Sequence, residues 1–471
     1  MKLKFSILFI MATVLSGTVS AKSVDSTTAC TVASHFFALK FNYIPKSLNP
    51  VVAYTSTTLS GENGSAPSFY VVNFEPDGFV IVAGDDRIQP ILAFSDEGAF
   101  VTENIPAHIR FFLEGYTEEM QYTIENQQYD NEVTLKKWET LLSGDILEQK
   151  DGDVVVGPLL GNNKWDQTKY YNNLCPADAT GNPAYGGHAA VGCGALVMGQ
   201  VMRYWQFPSS GTGSHSYNSS YGTLSANFGA TTYHYENMPN QLSTTYHPSS
   251  CVDAVATLLY HCGVAVNMNY GPSASVVNSN RIVSALSTYF CYPSTIHYIE
   301  RGGLSSNVWL NYLKGELDEG APFMYGGSGN YGGHVWVCDG YRDDDFFHFN
   351  WGWSGQQNGF YALTNCSSYG FNSNHAIIIG IRGPELPATV GDHSRKTVKT
   401  FPNPTHDGVY VCAESQIVLE VQVFDMFGKM LSRKSVGEKE FFIDLSGYHA
   451  GTYMLRIVSR DGIETVKIVK F

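Results

Sequence analysis

One cysteine sits between small residues and a run of helix formers, and few arrangements of a chain suit that combination. The stretch reads Gly187-His188-Ala189-Ala190-Val191-Gly192-Cys193-Gly194-Ala195-Leu196-Val197-Met198-Gly199-Gln200-Val201-Met202-Arg203-Tyr204-Trp205-Gln206-Phe207-Pro208. The apolar run reads as a helix that Pro208 stops, which puts Cys193 at or just before a helix N-terminus. Unpaired amides and the helix dipole favour an anion there, so the thiol pKa is expected to fall. Gly192 and Gly194 leave room for another backbone to approach. Most buried cysteines are only small apolar fillers, so a nucleophile needs partners elsewhere in the chain.

The compartment is read at the other end. Lys2 and Lys4 precede an apolar run from Phe5 to Leu15, and Val19-Ser20-Ala21 supplies small residues for cleavage. Residues 1–21 therefore read as a secretory signal peptide, too short to span a membrane. No later stretch is apolar enough for a transmembrane segment, and an exported, soluble protein is expected. A net charge of -14 at pH 7 argues against nucleic acid, which favours a basic face. Nine cysteines in an oxidising compartment leave at least one free or paired between chains. They lack paired C-x-x-C spacing, so no structural metal is expected, and no connectivity follows from them.

Three units follow the signal. Residues 22–150 open with Phe69-Tyr70-Val71-Val72-Asn73-Phe74 and Phe79-Val80-Ile81-Val82-Ala83 flanking Glu75-Pro76-Asp77-Gly78, a hairpin signal. From Pro106 to about Leu142 the pattern turns helical, and the charged stretch from Glu148 to Asp153 is where a protease would nick. A small α+β domain ahead of a nucleophile, with a cleavable linker, reads as a propeptide. Residues 151–383 carry helices at about 193–207, 250–260, 282–290 and 308–317, then short strands at 322–326, 334–339, 346–350, 359–363 and 374–381. Helices followed by an antiparallel sheet give an α+β class. After a linker at 384–397, residues 398–471 alternate short strands and Gly-containing turns, the pattern of a small β-sandwich.

Cysteine chemistry on an acyl group needs a base, a group that orients it and donors for the oxyanion. Tyr331-Gly332-Gly333-His334-Val335-Trp336-Val337-Cys338-Asp339-Gly340 places His334 at a strand start behind two glycines, facing an open cleft. One strand later, Phe349-Asn350-Trp351-Gly352-Trp353-Ser354-Gly355 offers Asn350 to accept from or donate to the far imidazole nitrogen. Trp351 and Trp353 would roof that pair and exclude water. Gln167, upstream of the cysteine helix, has an amide that would complete an oxyanion hole with the Cys193 N–H. His188 and His375 compete as bases but have no orienting partner readable in the sequence.

Trp165-Asp166-Gln167, His188-Ala189-Ala190-Val191-Gly192-Cys193, the Gly332–Gly340 stretch and Phe349-Asn350-Trp351-Gly352-Trp353 together resemble the streptopain family of secreted, papain-like cysteine proteases made as zymogens. The resemblance covers residues 30–383 and includes Asp77-Gly78-Phe79-Val80-Ile81-Val82-Ala83-Gly84-Asp85, similar to the family's propeptide strand. It implies a two-lobed, papain-like α+β fold with Cys193 as nucleophile, His334 as base, Asn350 as its orienter and Gln167 as oxyanion donor. Gly333 and the Gly271-Pro272-Ser273-Ala274-Ser275 loop would line the substrate cleft, although that loop is shorter than the family's, which loosens the match at Ser275. The resemblance implies polypeptide substrates, with an apolar side chain read beside the scissile residue, inhibition by the chain's own propeptide, and no cofactor.

The tail resembles the C-terminal sorting domain that Bacteroidetes use for type IX secretion. Phe401-Pro402-Asn403-Pro404, the Phe424-Asp425-Met426-Phe427-Gly428-Lys429 turn, Leu445-Ser446-Gly447-Tyr448-His449-Ala450-Gly451-Thr452-Tyr453 and the terminal Lys467 and Lys470 carry that likeness. It implies the type IX secretion machinery as a partner and a secreted or cell-surface location. Two other classes stay open at this point. A Cys-His acyl transferase would exchange amides rather than hydrolyse them, and a surface adhesin would keep the scaffold but not react at Cys193.

Overall fold

The computed structural model describes residues 23–41, 48–56, 58–61, 64–126, 131–144, 153–242, 249–329, 332–363, 375–384, 398–413, 418–426, 429–459 and 462–471. The expected signal segment, most of the charged stretch before Asp153, the loop ahead of His375 and nearly all of the 384–397 linker lie outside them. Two compact units result. One comprises Met1–Leu159, Lys164–Tyr204 and Pro208–Ile381; the other comprises Leu160–Asn163, Trp205–Phe207 and Arg382–Phe471.

The first unit begins with α1 (Ser26–Phe41), the strands β1 (Val51–Thr55), β2 (Thr58–Gly61), β3 (Gly64–Pro67), β4 (Phe69–Asn73), β5 (Phe79–Ala83) and β6 (Ile91–Ser95), then α2 (Ala107–Glu125) and α3 (Asn131–Ser143). The expected hairpin is β4–β5, in the register Phe69↔Ala83 to Asn73↔Phe79. Every residue of β5 and β6 is buried, which explains their unbroken apolar runs. The single helical pattern read from Pro106 to Leu142 is two helices. α1 is an addition to the sequence reading: its apolar residues are not confined to one stripe, so periodicity gives little signal.

The same unit continues with β7 (Val154–Val156), α4 (Cys193–Trp205), β8 (Ser214–Ser219), β9 (Gly222–Asn227), α5 (Ser249–Ala265), α6 (Asn280–Tyr289), β10 (His297–Glu300), α7 (Ser306–Asp318), β11 (Phe323–Gly329), β12 (Gly332–Arg342), β13 (Phe346–Asn350), β14 (Gly359–Ala362) and β15 (His375–Ile379). This is the α+β order expected, helices first and then an antiparallel sheet. Less expected is how far the sheet extends. Its strands run β1-β4-β5-β6-β14-β13-β12-β11-β15-β10, with β7 on β12. The N-terminal strands join the later ones where β6 pairs with β14, Phe360 opposite Phe94 and Tyr361 opposite Ala93. One apolar cluster accordingly runs from Phe36, Phe37 and Phe94 through Phe112 to Trp309, Tyr325, Trp336 and Phe349.

The second unit has its own core. Beyond β16 (Val398–Phe401), its strands are β17 (Gly408–Ala413), β18 (Val418–Asp425), β19 (Met430–Glu438), β20 (Glu440–Asp444), β21 (Gly451–Ser459) and β22 (Gly462–Lys470). They form two antiparallel sheets, β16-β17-β20 and β19-β18-β21-β22. Alternate inward residues, among them Val409, Val411, Val421, Val423, Leu455, Ile457 and Ile468, fill the space between.

Candidate active site

Cys193 is the first residue of α4, and the loop before it is held firmly. Val191 N–H donates to the carbonyl of Gln167 at 3.2 Å, Ala190 N–H to Gly271 at 3.1 Å and Ala189 N–H to Pro176 at 2.8 Å. Ser275 Oγ donates to Ala190 O at 2.6 Å and accepts from Gly271 N–H at 3.2 Å. Gly192 has φ +87°, and a Cβ there would meet Met268 Sδ at 2.9 Å and Ser275 Cβ at 3.1 Å. Both the turn and the close approach require glycine. Behind the helix, a Cβ on Gly199 would lie 2.5 Å from Leu259 and 3.3 Å from Trp165, so α4 is seated tightly.

The thiol is not activated in this form. Its pKa is raised, chiefly because burial disfavours the anion, and the N–H groups of Val335, Gly194 and Cys193 itself only partly offset that. The fall expected from the helix terminus is therefore overturned: the amides at the start of α4 favour the anion by less than burial disfavours it. Val335 follows His334 on β12, so the nucleophile and the candidate base do meet at one strand. What reaches the sulfur there is a backbone amide.

The register of the sheet explains the arrangement. His334 lies directly opposite Gly327 of β11, and Gly327 opposite His375 of β15. Residues opposite one another share a face. A Cβ on Gly327 would collide with Phe111 of α2 and stand 3.0 Å from His375 Cδ2. Trp336, two residues beyond His334, packs on Phe112 at 6.0 Å between ring centroids. Alternation therefore sends the His334 side chain to the face covered by α2. Asn350, paired with Val337, belongs to the opposite face, that of α4. There its Oδ1 accepts from Gln200 Nε2 at 3.0 Å and from Gly352 N–H at 3.1 Å.

Three family models match this chain. The peptidase C10 family covers residues 165–361, the Spi protease inhibitor residues 21–120 and the secretion system C-terminal sorting domain residues 399–470. Streptopain of Streptococcus pyogenes serotype M1 is 34% identical over 351 residues, covering 69% of this chain and 82% of its own length. The chain belongs to the peptidase C10 family. Another relative, the thiol protease/hemagglutinin PrtT of Porphyromonas gingivalis, is 32% identical over 342 residues, but the match spans only 38% of its length. Prointerpain A of Prevotella intermedia superposes with a TM-score of 0.56 at 25% identity, covering 71% of this chain and 99% of that structure.

This C10 chain thus combines a cysteine peptidase domain with an N-terminal segment that matches a protease inhibitor, and its sorting domain implies a secreted or cell-surface protein. Gln167 is buried beside the Cys193 loop. Its N–H bonds to Asp166 Oδ1 at 2.5 Å, and Asp166 Oδ2 accepts from Ser354 Oγ at 2.5 Å. Asp166 is a supporting residue that the Trp165-Asp166-Gln167 motif contained but that sequence reasoning gave no role. Gly333 is exposed with open space around its Cα. Ser275 is buried, and both bonds of its hydroxyl described above brace the loop. Trp353 is half-buried, whereas Trp351 is 2% exposed among Phe112, Trp336, Phe349 and Tyr361. His188 Nδ1 lies 2.8 Å from the carbonyl of Cys175. Beside His334 and Val335, a cavity of about 70 Å³ is lined by Met324, Ala376, Ile377 and Ile378 together with the polar Ser279 and Tyr298.

Proposed function

We propose that this C10 chain is a secreted cysteine endopeptidase made as a zymogen, and that the form described is the inhibited one. The observation that carries the reading is the meeting of Cys193 with the His334–Val335 segment while α2 covers the face onto which His334 projects. A prodomain that holds the base on the wrong side of its strand blocks the reaction without altering the nucleophile. Release of α2 would free the glycine-rich end of β11 and β12, where Gly326, Gly327, Gly329, Gly332 and Gly333 permit the backbone to re-lay.

His334 would then take the Cys193 proton and the thiolate would attack the peptide carbonyl. The Gln167 side chain and the Cys193 N–H would hold the oxyanion. Asn350 would orient the imidazole, which requires a rearrangement of the two donors now on its Oδ1. His334 would protonate the leaving amine, and water would release the acyl-enzyme. Gly333, Trp351 and Trp353 would border the substrate, with Ser275 supporting that border through the loop it braces. The cavity beside His334, walled in part by Met324, Ala376, Ile377 and Ile378, suits a hydrophobic side chain next to the scissile residue. Cys193→Ala should abolish peptide hydrolysis and leave the precursor uncut if maturation is autocatalytic. Mass analysis of the products would identify hydrolysis against amide exchange; normal activity in the alanine variant sinks the assignment.

A further inference from the structure

We propose that His375 is a proton-sensitive latch for the prodomain: its neutral ring seats α2 on the sheet, and its protonation releases that helix. The inference rests on the zymogen reading above and extends it to regulation. His375 is 7% exposed. Its ring stacks on Phe112, with centroids 6.0 Å apart and planes at 19°, and lies 5.7 Å from Phe111. Tyr325 Oη is 2.8 Å from Nδ1. Across the same face, Phe111 fills the gap that Gly327 leaves between His375 and His334. Those two histidines stand two strand spacings apart, about 10 Å.

Among the described residues, the titratable and charged groups around this position are few. From α2 comes Glu119, which lines the same recess as His375 together with Gly115 and Tyr116. Between β10 and α7 lies Arg301, buried at 2% exposure, whose charge is felt by Glu119 and Tyr325 and acts on His375. β11 supplies Tyr325 and β12 supplies His334. β14 and the residue after it supply the uncharged Ala362 and Leu363. Arg301 repels a second cation, and the Phe111 and Phe112 rings that α2 lays on the imidazole cannot solvate one.

In the docked state burial, aided by Arg301, lowers the His375 pKa from 6.5 to about 3. Once α2 departs, the ring meets water and its pKa returns toward the ordinary value. Protons therefore bind the open state preferentially, and docking is favoured above pH 6.5 and weakened as pH falls below it. The loss approaches tenfold per pH unit, about tenfold at pH 5.5 and about a hundredfold at pH 4.5.

The test uses the full chain carrying Cys193→Ala, which cannot process itself. Amide exchange of α2 is followed by mass spectrometry from pH 8 to pH 4.5, corrected for intrinsic exchange and referred to α5 as an internal control. Protection of α2 should be constant above pH 6.5 and fall with the stated slope below it. His375→Gln, which keeps a partner for Tyr325, should flatten that slope; His375→Phe serves as the second variant should the glutamine chain misfold. A slope that persists in both variants, or that vanishes with His334→Ala instead, overturns the latch. A parent chain whose α2 is unprotected even at pH 8 overturns the docked-prodomain reading itself.

Discussion

Asn350 Oδ1 receives its two donors in a manner that fixes which end of the carboxamide faces α4. The N–H of Gly352 can only donate, so the atom it meets is the oxygen, and Gln200, fully buried, must then present its nitrogen. Gln200 lies two helical turns beyond Cys193, so this bond ties the nucleophile's helix to the turn after β13. Gln200→Leu should destabilise the precursor by about 1–3 kcal/mol, since it strips a donor from a buried acceptor; denaturant titration against the parent chain measures it. Site-resolved alkylation of the precursor makes a second prediction. Because burial holds the Cys193 thiol above its ordinary value, the alkylation rate at that residue should still be climbing beyond pH 9. A plateau near neutrality would contradict the unactivated thiol. The nucleophile, its glycines and its helix were legible because small residues and a 3.6-residue period are local signals. The amide at Val335 and the oxygen of Asn350 were not, because each depends on a partner 142 to 150 positions away in a register no local pattern encodes.

Helix α2 acts as a wedge. Phe112 touches Trp336, Phe349, Trp351, Tyr361 and His375, all beyond residue 330. One turn on, Tyr116 Oη reaches the carbonyls of Leu92 at 2.8 Å and Ala362 at 2.9 Å, sharing its proton across the β6–β14 seam. Gln357 Nε2 donates to Val101 O at 2.9 Å, and Lys164 Nζ stands 3.2 Å from Glu97. The ion pair is largely exposed and contributes little; the aromatic burial dominates. Phe112→Ala should therefore weaken prodomain docking by about 3–5 kcal/mol, the usual cost of emptying a buried aromatic site. The expected readout is faster conversion of precursor to mature enzyme on a gel time course, and an unchanged rate would remove α2 as the principal restraint. The sequence displayed this helix as Ile109, Phe112, Leu113 and Tyr116 on one face. It did not say what that face covers, and the aromatic stretch around Trp351, read as a roof for the catalytic pair, is here the floor on which Phe112 rests.

At the scale of the whole molecule, the chemistry and the address occupy separate cores. The residues proposed for catalysis, Gln167, Cys193, His334 and Asn350, all belong to the first unit, while the sorting-domain match, 399–470, falls in the second. The second unit buries Val409, Val411, Val421, Leu455 and Ile468 against one another, with β18 hydrogen-bonded to both β19 and β21. Alternating strands made that sandwich legible from sequence, since inward and outward residues differ at a period of two. The union of the N-terminal strands with the later sheet was illegible, because the β6–β14 pairing joins segments 265 or more positions apart. A chain ending after Pro384 should thus retain peptide hydrolysis once activated, with kcat/KM within about twofold of the full chain, because no proposed catalytic group is lost. The same truncation should leave the protein inside the cells of a host that exports the full chain, as measured by fractionation. Export without the tail would detach secretion from residues 399–470, and loss of hydrolysis by the purified truncated enzyme would mean that the second unit supports the first.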